Sequence, residues 1–282
     1  MSLFALKEVL ENARTAGYAV GAFEVWDTAS ISAVIEAAEE QTKPVILQLG
    51  PFELDYGGLE DIAAVALYYA RKATVPVVLH LDHGDTFQRA MQCIHNGFTS
   101  VMLDLSPLPF EDNVRQTHEL VRIAHTCGVS VEGELGRIGG EEAGINVYED
   151  DALLTDPQQA REYVARTGID ALAVAIGTVH GFYTATPNIR LGLLEKIAHQ
   201  ISIPLVLHGG SGTPEGIIRK SITLGIAKIN ICTDFVAAFS NTFVEERKQD
   251  DFRFSVPGVF CKPKLAAKAV VAQKLRLFSM GR

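Results

Sequence analysis

The sequence lacks the features of a secreted, a membrane-spanning or a nucleic-acid-binding protein. It has only four cysteines, far apart and never in a Cys-x-x-Cys motif, which argues against a disulfide framework and a cysteine zinc site. The 25 lysines and arginines are outnumbered by 34 aspartates and glutamates, and a net charge of −9 disfavours nucleic acid and anionic membranes as partners. No apolar run approaches membrane-spanning length, and Lys7, Glu8 and Glu11 stand where a signal peptide would be apolar. We therefore expect a soluble cytoplasmic protein.

What the chain does have is a regular alternation of apolar runs and amphipathic stretches. The 282 residues, 48% of them hydrophobic, suffice for a large core. Apolar runs predict strands at 18–25, 44–49, 76–82, 99–104, 129–135, 170–176, 203–208 and 226–231. Helical patterns follow at 28–41, 59–73, 86–96, 109–127, 156–167, 191–200, 214–224 and 233–246. Several runs are apolar throughout, which is typical of parallel strands covered on both faces.

Eight strand–helix units in about 250 residues predict a TIM (β/α)8 barrel. A helical pattern at 3–16 precedes these units and another at 262–277 follows them, so we expect one domain over residues 1–282 with an additional helix at each end. A doubly wound α/β sheet of similar length is the structural alternative.

Three histidines stand just past the carboxyl ends of predicted strands. They are His83 after the third strand, His180 after the sixth and His208 after the seventh. In a TIM barrel these strand ends meet at one rim, where active sites lie. Three neutral imidazoles with an open fourth position are a usual ligand set for catalytic zinc, a Lewis acid for a bound carbonyl. One such histidine alone is more often a core or loop residue, but three at equivalent strand ends favour a metal site.

Further polar residues cluster at the same predicted rim. Asp82 directly precedes His83. His80 lies on the same face of the strand as Asp82, so we expect it to contact Asp82 without binding the metal itself. The other polar residues at these ends are Asp104, Ser106, Glu132, Glu134, Asn230, Thr233 and Asp234. The opposite strand ends carry mainly proline, glycine and apolar residues, and this asymmetry favours an active site at the polar rim.

A glycine-rich turn, Gly209-Gly210-Ser211-Gly212, leads into the predicted helix at 214–224. Glycine N–H groups beside a helix N-terminus form an anion site, and the loops after strands 7 and 8 are the usual phosphate site of this barrel. A tight connection without a ligand would use the same residues, but the position beside His208 favours phosphate binding.

The predicted connection 136–144 holds four glycines around the paired acids Glu141 and Glu142. Long connections with glycine hinges are often active-site lids. A solvated acidic surface loop is the alternative.

With these motifs in place, the chain resembles the class II, metal-dependent ketose-bisphosphate aldolases, especially the short branch that includes tagatose-bisphosphate aldolases. The resemblance spans roughly residues 18–234. It rests on His-Leu-Asp-His-Gly at 80–84, Val-Glu-Gly-Glu-Leu-Gly at 131–136, Ala-Leu-Ala-Val-Ala-Ile-Gly-Thr-Val-His-Gly at 171–181, Leu-His-Gly-Gly-Ser-Gly at 207–212 and Gly-Ile-Ala-Lys-Ile-Asn at 225–230.

The resemblance implies reversible cleavage of a ketose bisphosphate, such as fructose or tagatose 1,6-bisphosphate, into dihydroxyacetone phosphate and an aldehyde. It implies zinc on His83, His180 and His208, with Asp82 exchanging a proton with the aldehyde oxygen and Glu142 moving the C1 proton. Such chemistry stabilises an enediolate without a Schiff-base lysine. The implied contacts to dihydroxyacetone phosphate are Gly181, Gly209, Gly210, Ser211, Asn230, Ile231, Cys232 and Thr233.

The resemblance also implies additional bound cations and an oligomeric protein. Asp104 and Glu134 match acidic positions that hold a second divalent cation, and some relatives use Na⁺ or K⁺ near the phosphate. The family is generally dimeric or tetrameric, so we expect a homodimer or homotetramer that binds a sugar phosphate.

The chain departs from the family pattern on the aldehyde side. The first-strand motif, in which the family usually has asparagine, reads Ala-Phe-Glu-Val-Trp-Asp at 22–27. The Asp-Gly-Ser after the fourth strand is Asp-Leu-Ser at 104–106, followed by Pro107 where histidine is frequent, and Gly50 stands where some relatives have a phosphate-binding serine. These departures leave open which aldehyde is released, and an aldolase of the same family for another phosphorylated sugar or sugar acid is an alternative.

Three other classes of protein remain as alternatives. A metal-dependent barrel hydrolase typically has a His-x-His pair on its first strand, where this chain has Phe23-Glu24-Val25. A catalytically silent partner subunit would have lost ligands that are all present here. A Schiff-base aldolase needs an inward lysine, for which Lys228 is the obvious strand candidate.

Overall fold

The computed structural model describes residues 2–142, 145–147, 154–181, 188–248 and 255–282, and it describes the side chains of these residues except for 139–142, 145–147 and 256. The strands are β1 (Val20–Glu24), β2 (Val45–Leu49), β3 (Val77–Gly84), β4 (Ser100–Leu103), β5 (Ser130–Leu135), β6 (Gly139–Glu142), β7 (Ile145–Val147), β8 (Ala171–Val174), β9 (Val179–His180), β10 (Leu205–Leu207) and β11 (Ile226–Ile231). The helices are α1 (Leu6–Ala16), α2 (Thr28–Gln41), α3 (Pro51–Gly57), α4 (Leu59–Lys72), α5 (Phe87–His95), α6 (Phe110–Thr126), α7 (Pro157–Thr167), α8 (Leu191–Ala198), α9 (Glu215–Thr223), α10 (Thr233–Lys248) and α11 (Val256–Phe278).

Eight of the strands form a closed parallel barrel in the order β1-β11-β10-β8-β5-β4-β3-β2. Each corresponds to one of the predicted apolar runs, and helices follow the strands as predicted, so the TIM-barrel prediction is confirmed. The predicted helices before and after the barrel units are also present, as α1 and α11.

Four local expectations were wrong. Helix α1 begins at Leu6 instead of Leu3, because Leu3 forms a parallel bridge with Val77. Helix α11 begins at Val256, before the predicted start at Lys262, and the short helix α3 was not predicted. The connection predicted as a loop at 136–144 contains β6, which pairs with β7 and β9 in a second small sheet.

The barrel interior has an apolar lower layer and a polar upper layer. Along a strand the inward side chains alternate with outward ones, and the lower inward positions hold small or branched apolar residues. These residues are Val20, Ala22, Ile46, Val78, Ala171, Ala173, Val206 and Ala227. Nearer the carboxyl ends of the strands, the buried side chains are polar: Glu24, Gln48, His80, Asp82, Glu132, Glu134, His208, Lys228 and Asn230. The strand alternation therefore stacks a polar site on an apolar floor.

Helix α1 seals the lower end of the barrel. Its buried residues Leu6, Val9, Leu10 and Ala13 belong to the same hydrophobic cluster as the lower layer. Gly17 ends the helix in the left-handed conformation and returns two hydrogen bonds to its last turn. The polar layer is consequently open only toward the carboxyl ends of the strands.

Among the residues that the structure describes, no helix is both long and apolar enough to cross a membrane.

Candidate active site

Three imidazoles converge at the upper rim of the barrel. The ring centroids of His83 and His208 are 4.7 Å apart, those of His83 and His180 5.2 Å, and those of His180 and His208 5.8 Å. One ring nitrogen from each histidine lies within 4.8 Å of the other two. The barrel thus unites side chains that are up to 125 positions apart in the chain.

His83 reaches this cluster through an irregularity at the end of β3. In a regular strand Asp82 and His83 would face opposite sides of the sheet. The pairing of β3 with β4 shifts between Leu81 and Gly84, and His83 has a φ of 44°, in the left-handed region. A bulge of this kind re-aims a side chain, and a non-glycine residue in this region is typical of functional sites. Both Asp82 and His83 therefore face the site.

In two of the rings, the nitrogen that points away from the cluster (the outer nitrogen) is hydrogen-bonded to a carboxylate. His83 Nδ1 lies 3.0 Å from Asp104 Oδ2, and His208 Nε2 lies 2.9 Å from Glu132 Oε1. The inner nitrogens, His83 Nε2 and His208 Nδ1, face each other at 2.9 Å. Carboxylates behind metal-binding imidazoles fix the tautomer that leaves the inner lone pair for a metal. The donor set consequently fits a divalent ion such as zinc.

His180 follows the sixth barrel strand, as predicted, but it lies on a short strand that was not predicted. Barrel strand β8 ends at Val174, so His180 does not extend the sixth barrel strand. It lies on β9, which pairs in parallel with β6, with Gly140 opposite His180. The third imidazole is therefore carried by the small sheet that includes the predicted lid connection.

Asp104 and Glu134 lie on the far side of His83. Together with His83 they form a second group whose ligand atoms are within 4.8 Å of one another. Burial and the charge of Asp104 raise the pKa of Glu134 well above its ordinary value. The pKa of Asp104 is lowered because its hydrogen bond with His83 and the charge of that ring outweigh the cost of burial. Opposite shifts of this kind are expected of two close, buried carboxyl groups of which only one is paired with an imidazole.

Asp82 is buried and is held by two side-chain amides. Asn230 Nδ2 donates to both of its oxygens, at 3.3 and 3.1 Å, and Gln48 Nε2 donates to Oδ2 at 3.0 Å. Its pKa lies well below the ordinary value, because the charges of His83 and Lys228 and the hydrogen bond with His80 outweigh burial. The carboxylate is therefore fixed in place, and its surroundings favour the charged form.

A buried lysine ammonium lies beneath the three histidines. Lys228 Nζ is 2.7 Å from Glu132 Oε2, 3.3 Å from His80 Nε2 and 4.0 Å from Asp82 Oδ1. His80, Asp82 and Glu132 have ligand atoms close enough together to hold a metal, but the ammonium is close to all three. The charge of Lys228 helps to lower the pKa of Glu132 to about 2 against the effect of burial. Lys228 is thus an internal counter-ion, which argues against the neutral amine that Schiff-base chemistry needs.

Replacement of Lys228 by methionine is expected to lower the free energy of unfolding by about 3–5 kcal/mol, because Glu132 and Asp82 would be left buried without a cation. Adding Glu132→Gln should recover much of that loss. Lys248→Met, which breaks an exposed pair with Glu245, should change stability by less than about 1 kcal/mol. Urea unfolding measures all three, and a Lys228→Met protein as stable as wild type would contradict the counter-ion role.

The glycine-rich turn is packed tightly against the rim. A Cβ at Gly209, whose φ is 67°, would collide with the carbonyl oxygen of Val179, and a Cβ at Gly210 would lie 2.5 Å from Ile229 Cγ2. The turn also joins the starts of two helices, since Gly212 N–H donates to Asp234 at 3.3 Å and Asp234 N–H donates to Ser211 Oγ at 3.1 Å. The turn therefore lies directly before α9 and against the first turn of α10, an arrangement suited to an anion.

The remaining predicted contact residues lie around this turn, with two qualifications. Gly181, Cys232 and Thr233 follow β9 and β11 directly, and Asn230 lies beside Asp82. The side chain of Ile231 is buried in the outer hydrophobic cluster, so only its backbone is available to a ligand. The backbone of Glu142 is in β6, but its side chain is outside the described part of the structure, and the predicted role stays a prediction.

Two residues of the site were missed at the level of the sequence. Gln48 was not singled out, although it is the one polar residue in the run Val45–Leu49. Glu132 was noted at a strand end but was given no role, whereas it contacts both His208 and Lys228. A polar residue inside an otherwise apolar strand is the signal that could have found Gln48.

Comparisons with known proteins agree with this geometry. The family model described as fructose-bisphosphate aldolase class-II matches residues 4–281. A probable fructose-bisphosphate aldolase of Bacillus subtilis (strain 168) is 46% identical over 237 residues, which cover 83% of this chain and 82% of that protein. A fructose-bisphosphate aldolase of Thermus caldophilus is 41% identical over 299 residues, with 98% of each chain covered. Among solved structures, the YdjI aldolase of Escherichia coli K12 matches with a TM-score of 0.87 and 36% identity, over 98% of this chain and 97% of that one.

Proposed function

Because the chain belongs to the class II fructose-bisphosphate aldolase family and is a lyase, we propose that it cleaves a ketose 1-phosphate, or a ketose 1,6-bisphosphate such as that of fructose or tagatose, into dihydroxyacetone phosphate and an aldehyde. Class II aldolases depend on zinc and act on sugar phosphates. The observation that carries the proposal is the convergence of three imidazoles, two of them held by carboxylates, beside the buried Asp82. The same convergence disfavours a catalytically silent subunit.

In this proposal His83, His180 and His208 hold the zinc. When bound, zinc supplies a Lewis acid that polarises the ketone carbonyl. Asp104 and Glu132 hold the outer nitrogens of two of these rings and so keep their inner nitrogens available. We also propose that Asp104 and Glu134 bind a second divalent ion, and that Na⁺ or K⁺ binds near the phosphate.

Asp82 is proposed as the base that removes the proton from the C4 hydroxyl during cleavage, and as the acid that returns it during condensation. Its two amide partners, Gln48 and Asn230, fix the carboxylate without competing for that proton, because an amide N–H only donates. The turn Gly209–Gly212 and the starts of α9 and α10 would bind the phosphate of the ketone half, since backbone N–H groups and helix N-termini favour an anion. The predicted lid, the connection 136–144, would exclude water and so protect the carbanionic ketone half of the substrate from side reactions with water.

The function is tested by incubating the zinc-loaded protein with fructose and tagatose 1,6-bisphosphates and with the corresponding 1-phosphates. Dihydroxyacetone phosphate is measured by its enzymatic reduction. We expect its release from at least one of these sugars. Absence of release from all four, together with absence of C1 proton exchange in dihydroxyacetone phosphate, would exclude the proposed function.

Glu142→Ala is expected to slow exchange of the C1 proton of dihydroxyacetone phosphate with solvent by about a hundredfold or more, because Glu142 is the proposed carrier of that proton. Exchange is followed by proton NMR in deuterated water. Glu141→Ala, which removes the adjacent carboxylate of the same connection, is the matched control and should exchange at nearly the wild-type rate. Equal exchange in wild type and Glu142→Ala would remove Glu142 from this role.

We further propose that the chain is a single cytoplasmic domain that forms a homodimer or homotetramer. Scattered cysteines without a Cys-x-x-Cys motif support a reducing compartment. Exposed apolar side chains on the last two helices, Val244, Phe260 and Leu265, support contact with another copy. Light scattering coupled to size-exclusion chromatography gives the mass in solution.

A further inference from the structure

A second group of acids lies beside Asp82, at the ends of β1 and β2. Glu24 accepts hydrogen bonds from Gly50 N–H at 2.7 Å and from Gln48 Nε2 at 2.9 Å, and it is only 6% exposed. A Cβ built at Gly50 would lie 3.0 Å from Glu53 Oε2 and 3.5 Å from Glu24 Oε1, so these two carboxyl groups meet at Gly50. Two carboxyl groups thus face Gly50, the residue between β2 and α3, and the Asp82 carboxylate lies next to them on the other side of Gln48.

The chemistry of the acids determines how Gln48 is oriented. Its nitrogen lies 2.9 Å from Glu24 Oε2 and 3.0 Å from Asp82 Oδ2, and a carboxylate only accepts hydrogen bonds. The NH2 group must therefore point at the two acids, and the amide oxygen must point away from them. Gln48 Oε1 is buried and has no hydrogen-bond partner among the described residues, and the same holds for Asn230 Oδ1. Both acceptors are buried beside Asp82 without a partner, so a ligand hydroxyl group that reached them would satisfy them.

The residues Glu24, Gln48, Glu53 and Asp82 form an acidic wall at the ends of β1, β2 and β3. Within the described part of the chain, the cationic side chains near this wall are already paired with other carboxylates. Arg89 is bound by Asp55 at 2.8 Å and by Asp85 at 2.7 Å. Lys228 is buried below the rim and is paired with Glu132 at 2.7 Å. The wall therefore presents carboxylates and amide oxygens, which suit hydroxyl donors and repel an anion.

We propose that Glu24 sets the specificity for the aldehyde half, and that this half is an uncharged hydroxyaldehyde and carries no phosphate. The inference rests on the proposed function, because it takes Asp82 as the group that exchanges a proton with the aldehyde oxygen. The aldehyde must then lie against Asp82, next to Gln48 and Glu24. A phosphate on a short aldehyde would be brought toward the Glu24 carboxylate, whereas hydroxyl groups would donate to Gln48 Oε1 and Asn230 Oδ1. The substrate class is consequently a ketose 1-phosphate.

The two ends of such a substrate would meet opposite environments. The ketone phosphate would bind at the turn Gly209–Gly212, where two helix N-termini favour an anion. The aldehyde end would face the acids of β1 and β2, where a second phosphate is disfavoured. The site is therefore built to distinguish the two ends of the sugar by charge.

The experiment compares the condensation of dihydroxyacetone phosphate with glyceraldehyde and with glyceraldehyde 3-phosphate, as the ratio of the two kcat/KM values. The wild-type protein is expected to favour glyceraldehyde by about tenfold or more, since like charges brought together in a site are strongly unfavourable. Glu24→Gln keeps the size of the side chain and removes its charge, and its amide oxygen can still accept the hydrogen bond from Gly50 N–H. It should shift the ratio toward the phosphorylated aldehyde by about tenfold. Glu111→Gln, which removes one charge from an exposed pair with Arg166, should leave the ratio unchanged.

Exchange of the C1 proton in dihydroxyacetone phosphate separates this inference from the proposed function, because exchange needs no aldehyde. A protein that exchanges this proton but prefers glyceraldehyde 3-phosphate would overturn the inference and leave the proposed function intact. A ratio that is the same in wild type and in Glu24→Gln would overturn the role of Glu24. A protein that neither exchanges the proton nor condenses either aldehyde would overturn both. The wild-type ratio tests the absence of a phosphate on the aldehyde even where Glu24→Gln does not fold.

Discussion

Exhaustive removal of divalent metal is expected to reduce aldol cleavage by more than about a thousandfold, and one equivalent of zinc is expected to restore it. The reason is the absence of any other strong electrophile for the ketone oxygen at the three imidazoles among the described residues. The only buried ammonium described there, Lys228, lies below the rim and is paired with Glu132. Turnover is measured after dialysis against a chelator, with metal content determined on the same sample.

Histidine variants separate loss of metal from general damage to the protein. His208→Ala should lose both zinc and turnover, because the inner nitrogen of His208 is one of the three convergent donors. His118→Ala, an exposed histidine on α6, should keep both. Full turnover in protein shown to be free of metal would exclude zinc-dependent cleavage.

Asp82→Ala is expected to retain zinc and to lose turnover by about 10²- to 10⁴-fold, the range for a general acid–base residue. Asp82 lies on the wall of the metal site, but it is not one of the three convergent histidines, so zinc content should stay close to one equivalent. Its position is fixed by Asn230 and Gln48, and an alanine would leave both amides facing an empty space.

Two measurements make this expectation decisive. Asp85→Ala removes a half-exposed carboxylate three positions away, which pairs with Arg89, and should leave turnover nearly unchanged. Asp82→Asn keeps the shape of the side chain but cannot act as a base, so it should be as inactive as Asp82→Ala. Normal turnover in either Asp82 variant, with zinc bound, would assign the proton transfer to another group.

The barrel was predictable because its strands are covered on both faces. A parallel strand inside two layers appears as a continuous apolar run, and eight such runs between amphipathic stretches leave few other folds. The same logic fails for β9, which has only two residues and therefore no periodicity. It fails equally for β6, which lies in a glycine-rich stretch that favours a loop.

The site was predictable in its composition but not in its geometry. Strand-end polarity indicated the three histidines and Asp82, yet strand alternation alone places Asp82 and His83 on opposite faces. The left-handed φ of 44° at His83, which brings both into the site, has no signal in the sequence beyond the glycine that follows. The separate strand that carries His180 was not predicted, because the break between Val174 and β9 cannot be seen in an apolar run.

Charge pairing inside the barrel was the least predictable feature. Lys228 stood out as an inward lysine, but its nearest partner, Glu132, lies 96 positions earlier in the chain. Only the barrel order, which brings the side chains of β5 and β11 together across the interior, makes the pair possible. The sequence shows which charged residues could form a buried ion pair, but only the fold shows which of them are paired.

The separation of the barrel interior into an apolar floor and a polar upper layer has a consequence for how this enzyme can diversify. Most of the burial that α1 and the lower side chains provide lies below the reacting groups, so the scaffold does not depend on which sugar is accepted. On the proposal above, an exchange at Glu24 would change the choice of aldehyde while the apolar residues below it stay the same. The part of the barrel that supports the fold and the part that contacts the sugar are therefore different sets of side chains on the same strands.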